Sequence, residues 1–431
     1  MEYSVLKGTH DIIKDEASAY SNIERILASI ALNYGYEEFR TPIIENSGLF
    51  LRSVGEGTDI VRKEMYTFLD KGNRSITLRP EMTAGIIRSM VNAKLFANQD
   101  YPVKAFYVGP NFRYERPQLG RYRQFNQFGV ECVGSNSYLR DVEVISLGYK
   151  CLKMLGFKNL KLKINTLGDA ESRANYKEAL VKFFSEHIDS MCEDCHERLN
   201  LNPLRILDCK VPGDQEIIKN APILKDFLTE ESTERFNLTL KALDGLEIPY
   251  EVDNSLVRGL DYYTGVVFEF TYITDSGLNV GSLGGGGHYG NLVKEIGGPD
   301  LEGVGFAFGI ERLISILKDE DLLPESWGLD AYIIPLDKQY YELALNLMDY
   351  LRVNGFLIEG NIEGGSISSS FKKAERRKAK YAIIFGEDEV KKSVVQAKKL
   401  ATTEQIEVKL DDLIEFLDKN IDDDEDLHHE E

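Results

Sequence analysis

Apolar residues recur at three- and four-residue intervals over residues 19–34, where Ile23, Ile26, Leu27 and Ile30 form one stripe. The spacing predicts an amphipathic helix, and Gly35 suits the left-handed residue that ends it. Residues 38–42 follow as a short strand whose Pro42 suggests an edge or an end. Residues 73–78 read as another strand, with a helix expected from about Pro80. Alternation over 105–115 and 123–133, joined by the polar loop 116–121, predicts a long hairpin. A strand at 160–167 precedes a helical, charged stretch over about 169–237, after which strand character returns at 249–253, 266–272 and 303–308. A helical insertion in a largely antiparallel sheet domain follows, an α+β architecture and not a doubly wound parallel sheet.

Beyond Trp327 strands and helices alternate: strand 331–335, helix 340–354 stopped by Gly355, strand 357–359, helix 370–380 and strand 381–385. That grammar predicts a small α/β domain with its own core. The expected organisation is a first domain at 1–325 carrying the insertion, a second at 326–420, and a disordered acidic tail at 421–431.

Composition changes the picture in three places. At 431 residues the chain exceeds one hydrophobic core. It has no run of about 20 apolar residues and its first residues lack a signal-peptide layout, so no membrane association and a cytoplasmic location are expected. The net charge of −20 argues against a general nucleic-acid binder, yet Lys372, Lys373, Arg376, Arg377, Lys378 and Lys380 face only Glu375 as a local acid. A local RNA-binding strip fits that cluster; the plainer alternative is a solvated charged helix. Five cysteines, odd in number, argue for reduced thiols. Cys192 and Cys195, with Cys209 downstream, have the look of zinc ligands, but the second half of the usual pair of C-x-x-C motifs is missing, so zinc is not expected there and no metal-ligating side chain is assigned.

Alternation in the hairpin puts Arg113 and Glu115 on one face of its first strand and Arg123, Phe125, Gln127, Gly129 and Glu131 on one face of its second. Arginines, an aromatic ring and carboxylates on a single face suggest a ligand site; the alternative is solvated cross-strand pairing. In residues 303–309, Val304, Phe306 and Phe308 face a core, whereas Gly305, Ala307 and Gly309 leave the other side bare enough for a flat group to lie there. Arg312 then falls in the first turn of a helix, where the dipole disfavours a cation unless an anion sits beside it. The glycine run 284–287 lacks the Lys-Ser/Thr of a phosphate-binding P-loop.

These stretches resemble the signature motifs of class II aminoacyl-tRNA synthetases: 19–42 is similar to motif 1, 112–125 to motif 2 and 309–312 to motif 3. Residues 79–85, 256–265 and 282–289 resemble the segments specific to the histidyl-tRNA synthetase family, and the similarity runs in order from about Lys7 to Leu417. The resemblance implies an antiparallel catalytic sheet of six or seven strands with a helical insertion, a C-terminal anticodon-binding domain, and a homodimer. It also implies ATP, magnesium, L-histidine and its tRNA as ligands. Carried over by position, Arg113, Glu115, Arg121, Phe125 and Arg312 would bind ATP. Glu81, Thr83, Gln127, Glu131, Arg258, Tyr262 and Tyr263 would bind histidine, with Glu131 and Tyr263 on the two ring nitrogens. Arg113 and Arg258 would be catalytic, and Lys372, Lys373, Arg376 and Arg377 would contact tRNA. One departure is His288-Tyr289-Gly290-Asn291, where the family usually has an arginine and then Tyr-Asp-Gly. The competing reading is the regulatory subunit of ATP phosphoribosyltransferase, which shares the catalytic fold but generally lacks the anticodon domain and the ATP arginines.

Overall fold

A computed structural model describes residues 3–53, 55, 58, 60–97, 101–116, 120–256, 262–323 and 328–422. The chain divides into two compact units, Met1–Pro324 and Glu325–Glu431.

The first unit is built on an eight-stranded sheet. In spatial order its strands are Glu37–Glu38, Val103–Phe112, Gln124–Val133, Gly303–Gly309, Asn279–Tyr289, Tyr263–Ile273, Leu160–Thr166 and Tyr250–Val252. The two outermost strands pair in parallel and the rest are antiparallel. The short parallel edges bring the total above the six or seven expected. A second, three-stranded sheet, Ile44–Asn46, Ser75–Leu78 and Tyr66–Leu69, packs beside it.

One face of the large sheet is covered by helices Asp15–Asn33, Tyr138–Met154, Glu230–Gly245 and Ile310–Asp319. Ile23, Leu27, Val144, Leu147, Leu243 and Leu313 meet Phe128, Phe268, Phe270, Phe306 and Phe308 in one core. Each fully buried phenylalanine there contributes about 1.5–3 kcal/mol. The alternation at 303–309 therefore points its large residues at helices and leaves its glycines on the opposite face. Helix Asp15–Asn33 starts with Asp15 and Glu16, which suit the positive helix end, and stops before Gly35 at φ 76°.

The glycine run is not a loop. Residues 279–289 form a central strand, and a Cβ at Gly284 or Gly286 would lie 2.3 or 1.8 Å from a carbonyl oxygen of the neighbouring strand. Only glycine permits that approach. The expected helix at Pro80 begins instead at Thr83, because Arg79 and the Pro80 carbonyl are hydrogen-bonded to the hairpin.

The insertion is tied at its neck by Asp169. Its carboxylate caps helix Ala170–Ser185 through Ser172 N–H (2.7 Å) and accepts from the hydroxyls of Thr229 and Ser232 at the start of the returning helix Glu230–Gly245. Burial alone would raise the Asp169 pKa, but these donors outweigh it and hold the carboxylate well below its usual range.

The second unit is a five-stranded sheet ordered Ile358–Gly360, Ala331–Pro335, Tyr381–Phe385, Val394–Lys399 and Gln405–Lys409. The first three strands are parallel and the last two antiparallel, the latter pair not foreseen from the pattern. Helices Tyr341–Val353 and Leu413–Asp422 bury Leu347, Leu351, Leu413 and Leu417 on one face, while Ala374 and Phe371 of Ile367–Arg376 meet Tyr332 and Ile334 on the other. The last helix runs to Asp422, one residue past Ile421, whose carbonyl accepts from Lys380, so the start assigned to the tail belongs to ordered helix. The remaining acidic residues lie outside the described residues.

Candidate active site

The bare side of the large sheet forms the floor of a cavity of about 940 Å³. Glu81, Thr83, Arg113, Glu115, Arg121, Phe125, Gln127, Glu131, Tyr262, Tyr263 and Arg312 all line it. Arg258 lies outside the described residues.

Three stretches of chain are pinned together at one end. Arg79, almost wholly buried, donates to the carbonyls of Pro110 (2.8 Å) and Thr41 (2.9 Å), and Arg113 Nε donates to the Pro80 carbonyl (2.8 Å). Glu81 is thereby delivered to the cavity. One of its oxygens accepts from Ala84 N–H at 3.0 Å, capping the helix from just outside it, not from its first turn as expected. The other is buried with no hydrogen-bond partner among the described residues, and burial raises the pKa of this carboxyl. A buried oxygen left open in this way suits a ligand donor such as an ammonium group. Beside it Gln127 accepts from Asn111 Nδ2 at 2.8 Å, which orients the amide.

Glu131 stands at the closed end. It accepts from the phenols of Tyr107 (3.0 Å) and Tyr289 (2.9 Å), two residues that sequence reading did not assign. Burial pushes its carboxyl up to about 8, although those donors pull the other way. A carboxylate offers about four lone-pair sites, so a third donor still has a place. Ala307 and Gly309 stay on the bare floor as expected, but beside three other glycines the space is taken by protein. A Cβ at Gly129 would sit 2.4 Å from the Tyr107 hydroxyl, and one at Gly303 would sit 2.5 Å from the Tyr289 ring. One at Gly305 would sit 2.0 Å from Glu131 Oε2. Tyr262 and Tyr263 pack with ring centroids 4.7 Å apart, and Tyr262 meets Tyr289 edge-on at 5.8 Å.

At the open end, cations gather. The Arg113 guanidinium lies 5.1 Å from the Phe125 ring centre, and burial lowers its pKa. Arg121 pairs with Glu115 at 3.6 Å. Arg312 donates to the Val280 carbonyl; burial lowers its pKa, and the nearby positive charge of Arg121 lowers it further. Two guanidiniums that repel each other beside the start of a helix make an electropositive pocket suited to phosphate. Arg123 leaves the face assigned to it and stacks on Tyr114 at 3.9 Å, because the strand ends at Phe112 and the chain turns.

Two unforeseen groups hold this floor in place. Glu311 accepts from Asn126 N–H (2.8 and 2.9 Å) and Asn126 Nδ2 (3.0 Å), locking helix Ile310–Asp319 to the hairpin, and burial raises its carboxyl to about 7. His288 lies between Asp141 (2.8 Å) and Glu302 (2.9 Å), and Arg235 reaches Asp141 at 2.8 Å. Burial favours the neutral imidazole, yet the Asp141 carboxylate and both hydrogen bonds prevail and raise the pKa to about 9. Protonation of His288 places a positive charge between these two carboxylates.

In the second unit the expected basic helix ends at Arg376. Lys372 and Arg376 are exposed and Lys373 is half-buried, whereas Arg377 pairs with Glu359 at 2.6 Å and Lys380 caps the final helix.

An antiparallel sheet of this order, taking arginines from a long hairpin and from the helix after its central glycine-lined strand, is the architecture of a class II aminoacyl-tRNA synthetase. Within that class the chain belongs to the histidyl-tRNA synthetase family, whose model matches residues 8–313, while an anticodon-binding domain model matches 330–420. It is 46% identical over 418 residues to the histidine–tRNA ligase of Anoxybacillus flavithermus, covering 97% of this chain and 99% of that one. The fold is similar to apo Staphylococcus aureus histidyl-tRNA synthetase, with a TM-score of 0.81, 38% identity and coverage of 96% and 100%. A Bacillus halodurans protein described as an ATP phosphoribosyltransferase regulatory subunit/histidyl-tRNA synthetase shares the fold at a TM-score of 0.63 and 20% identity, over 90% of this chain and 99% of that one.

Proposed function

We propose that the protein is a histidine–tRNA ligase that activates L-histidine with ATP and transfers it to tRNA(His). The observation that carries this reading is the single cavity with guanidiniums at one end and the buried Glu131 carboxylate at the other. The histidine carboxylate attacks the α-phosphorus of ATP, the bond to pyrophosphate breaks, and histidyl-adenylate forms. The tRNA terminal ribose hydroxyl then attacks the histidyl carbonyl and AMP leaves.

Arg113 stabilises the charge that develops on the α-phosphate, Phe125 stacks on adenine, and Arg121 and Arg312 hold the outer phosphates. Arg258 takes its place beside the carboxylate and α-phosphate from the family resemblance alone. Glu131 accepts a ring N–H of histidine, Tyr263 serves the other ring nitrogen, and Glu81 with Gln127 holds the α-ammonium; Thr83 and Tyr262 close the pocket. Rejection of other amino acids follows from leaving these polar groups unpaired. Glu115 and Glu269 line the cavity as hard oxygen donors that fit magnesium, which when bound would neutralise phosphate charge. Lys372, Lys373, Arg376 and Arg377 form the tRNA-contacting strip, with Arg377 the weakest contributor because of Glu359.

A homodimer and a cytoplasmic location belong to the same reading. Ile44, Phe68 and Leu69 are exposed on the small sheet, which supports a partner surface, and among the described residues no helix is long and apolar enough to cross a membrane. The regulatory alternative is disfavoured by the anticodon-binding unit and by the intact ATP arginines. Histidine-dependent exchange of pyrophosphate into ATP tests the reading: exchange that fails with histidine, or proceeds equally without it, overturns it.

A further inference from the structure

The insertion contains a cluster that the catalytic reading does not use. Cys192, Cys195, Cys209 and Asp214 bring one donor atom each to within 4.8 Å of one another. The sequence shows only the first pair as a motif. The fold supplies the rest: Cys192 and Cys195 bracket the start of helix Glu193–Leu201, Cys209 follows the turn Pro203–Asp208, and Asp214 lies in the first turn of helix Pro212–Ile218.

We propose that these four side chains form a structural zinc site. Zinc with sulfur ligands at about 2.3 Å places neighbouring sulfurs about 3.8 Å apart and an oxygen slightly closer. Cys192 Sγ and Cys209 Sγ are 3.8 Å apart, and Cys209 Sγ is 3.2 Å from Asp214 Oδ2. The same sulfur separation is far beyond the roughly 2.05 Å of a disulfide, and all three cysteines are free. Backbone N–H groups already serve the donors in the manner of a zinc knuckle: Val211 N–H points at Cys209 Sγ (3.5 Å), and Cys192 N–H donates to the Asp214 carboxylate (3.2 and 3.3 Å). Asp214, Cys195 and Cys209 are buried, and a buried carboxylate among sulfurs calls for a compensating cation. Arg198, Arg205 and Lys210 line the adjoining hollow and balance the charge that three thiolates and a carboxylate leave on the zinc.

The metal answers a structural need. The segment from Cys192 to Phe227 consists of one nine-residue helix, one seven-residue helix and two short 3₁₀ turns, elements too short to stand on their own. It also reaches the active site. Glu197 and Asp194 of the zinc-anchored helix hold Arg62 (2.6 Å) and Lys63 (3.5 Å), which adjoin Glu64 on the cavity wall. Binding converts thiols to thiolates and releases their protons, so affinity rises with pH.

Metal analysis of full-length protein purified without chelator is expected to find about one zinc per chain. After replacement by Co²⁺, the wild-type protein should show thiolate charge-transfer bands and the intense visible bands of a tetrahedral site. The double variant Cys209→Ser/Asp214→Ala should lose both the zinc and the cobalt spectrum. Zinc below about a tenth per chain together with no cobalt bands on reconstitution overturns the proposal, and so does wild-type zinc content retained in the double variant, which would mark the metal as adventitious. The cobalt spectrum is read on wild-type protein, so the test survives a variant that fails to fold.

Discussion

Tyr289 donates its phenolic hydrogen to Glu131 at 2.9 Å across the central strand Gly303–Gly309, where neither Gly303 nor Gly305 carries a side chain to block the contact. With Tyr107 on the other oxygen, this contact fixes the orientation of the one carboxylate at the closed end of the cavity before any ligand arrives. Preorganisation of that kind lets a site discriminate by hydrogen bonds without a reorganisation cost.

The elevated Glu131 pKa makes a stability prediction. Between the ordinary carboxyl value of 4.5 and about 8 the folded protein holds this proton more tightly than the unfolded chain, so stability is lost as pH rises through that window, by up to about 5 kcal/mol. Glu131→Gln removes the titration. Thermal unfolding from pH 5 to pH 8 should show the variant gaining steadily on the wild type, while its kcat/KM for histidine falls roughly tenfold to hundredfold with the KM for ATP unchanged. Parallel stability profiles for the two proteins would contradict the assignment.

Gly305→Ala tests the space itself. Its Cβ would lie 2.0 Å from Glu131 Oε2 and 2.4 Å from the Val130 carbonyl oxygen, and the latter is backbone that cannot swing aside. We expect a destabilisation of about 1–3 kcal/mol and a loss of histidine-dependent exchange of about 100-fold or more. Full activity would mean that Glu131 is not where the chemistry needs it.

His288 titrates in the same direction over a higher pH window. Its folded pKa is raised to about 9, so its contribution is fully present below pH 6.5 and is lost as pH rises through 9. His288→Leu should cost about 3–5 kcal/mol at pH 6.5, and the gap from wild type should narrow by pH 9.5. A gap independent of pH would show that His288 is neutral between Asp141 and Glu302.

Arg113 and Arg312 separate chemistry from binding. Arg113→Ala should slow adenylate formation by about 10²–10³, and Arg113→Lys should recover little, since a single ammonium cannot hold the Pro80 carbonyl and a phosphate together. Arg312→Ala should chiefly raise the KM for ATP. Steady-state exchange kinetics with both variants would expose an error if the two profiles were the same.

In the second unit, Lys372→Glu/Arg376→Glu should weaken tRNA binding and flatten its salt dependence, leaving histidine-dependent exchange intact. Arg377→Glu should do less, since Arg377 is already engaged by Glu359 at 2.6 Å. Unchanged tRNA affinity in the double variant would remove this strip from the interface.

Much of this site was legible along the chain because its parts obey short-range rules. The two-residue alternation of the hairpin put Phe125, Gln127 and Glu131 on one face, and the alternation at 303–309 separated core phenylalanines from glycines. Tyr107, Tyr289, Asn111 and Glu311 went unread because each acts through a partner on another strand or helix, between 16 and 185 residues away. The fourth member of the proposed zinc cluster was hidden for the same reason: Asp214 is an unremarkable acid until two turns bring it against Cys209.

Local pattern alone determined the alternation of strands and helices, the hairpin, the insertion and the shared face of Phe125, Gln127 and Glu131, because periodicity and turn chemistry depend on neighbours within a few positions, whereas Glu81, Thr83, Tyr262 and Tyr263 were marked by family resemblance. Only the tertiary structure decided what the glycines were for. Whether an empty position beside a strand receives a ligand or another side chain depends on how distant strands register, and register is settled by the packing of the whole sheet, where the Tyr107, Tyr289 and Glu131 side chains fill three of those spaces.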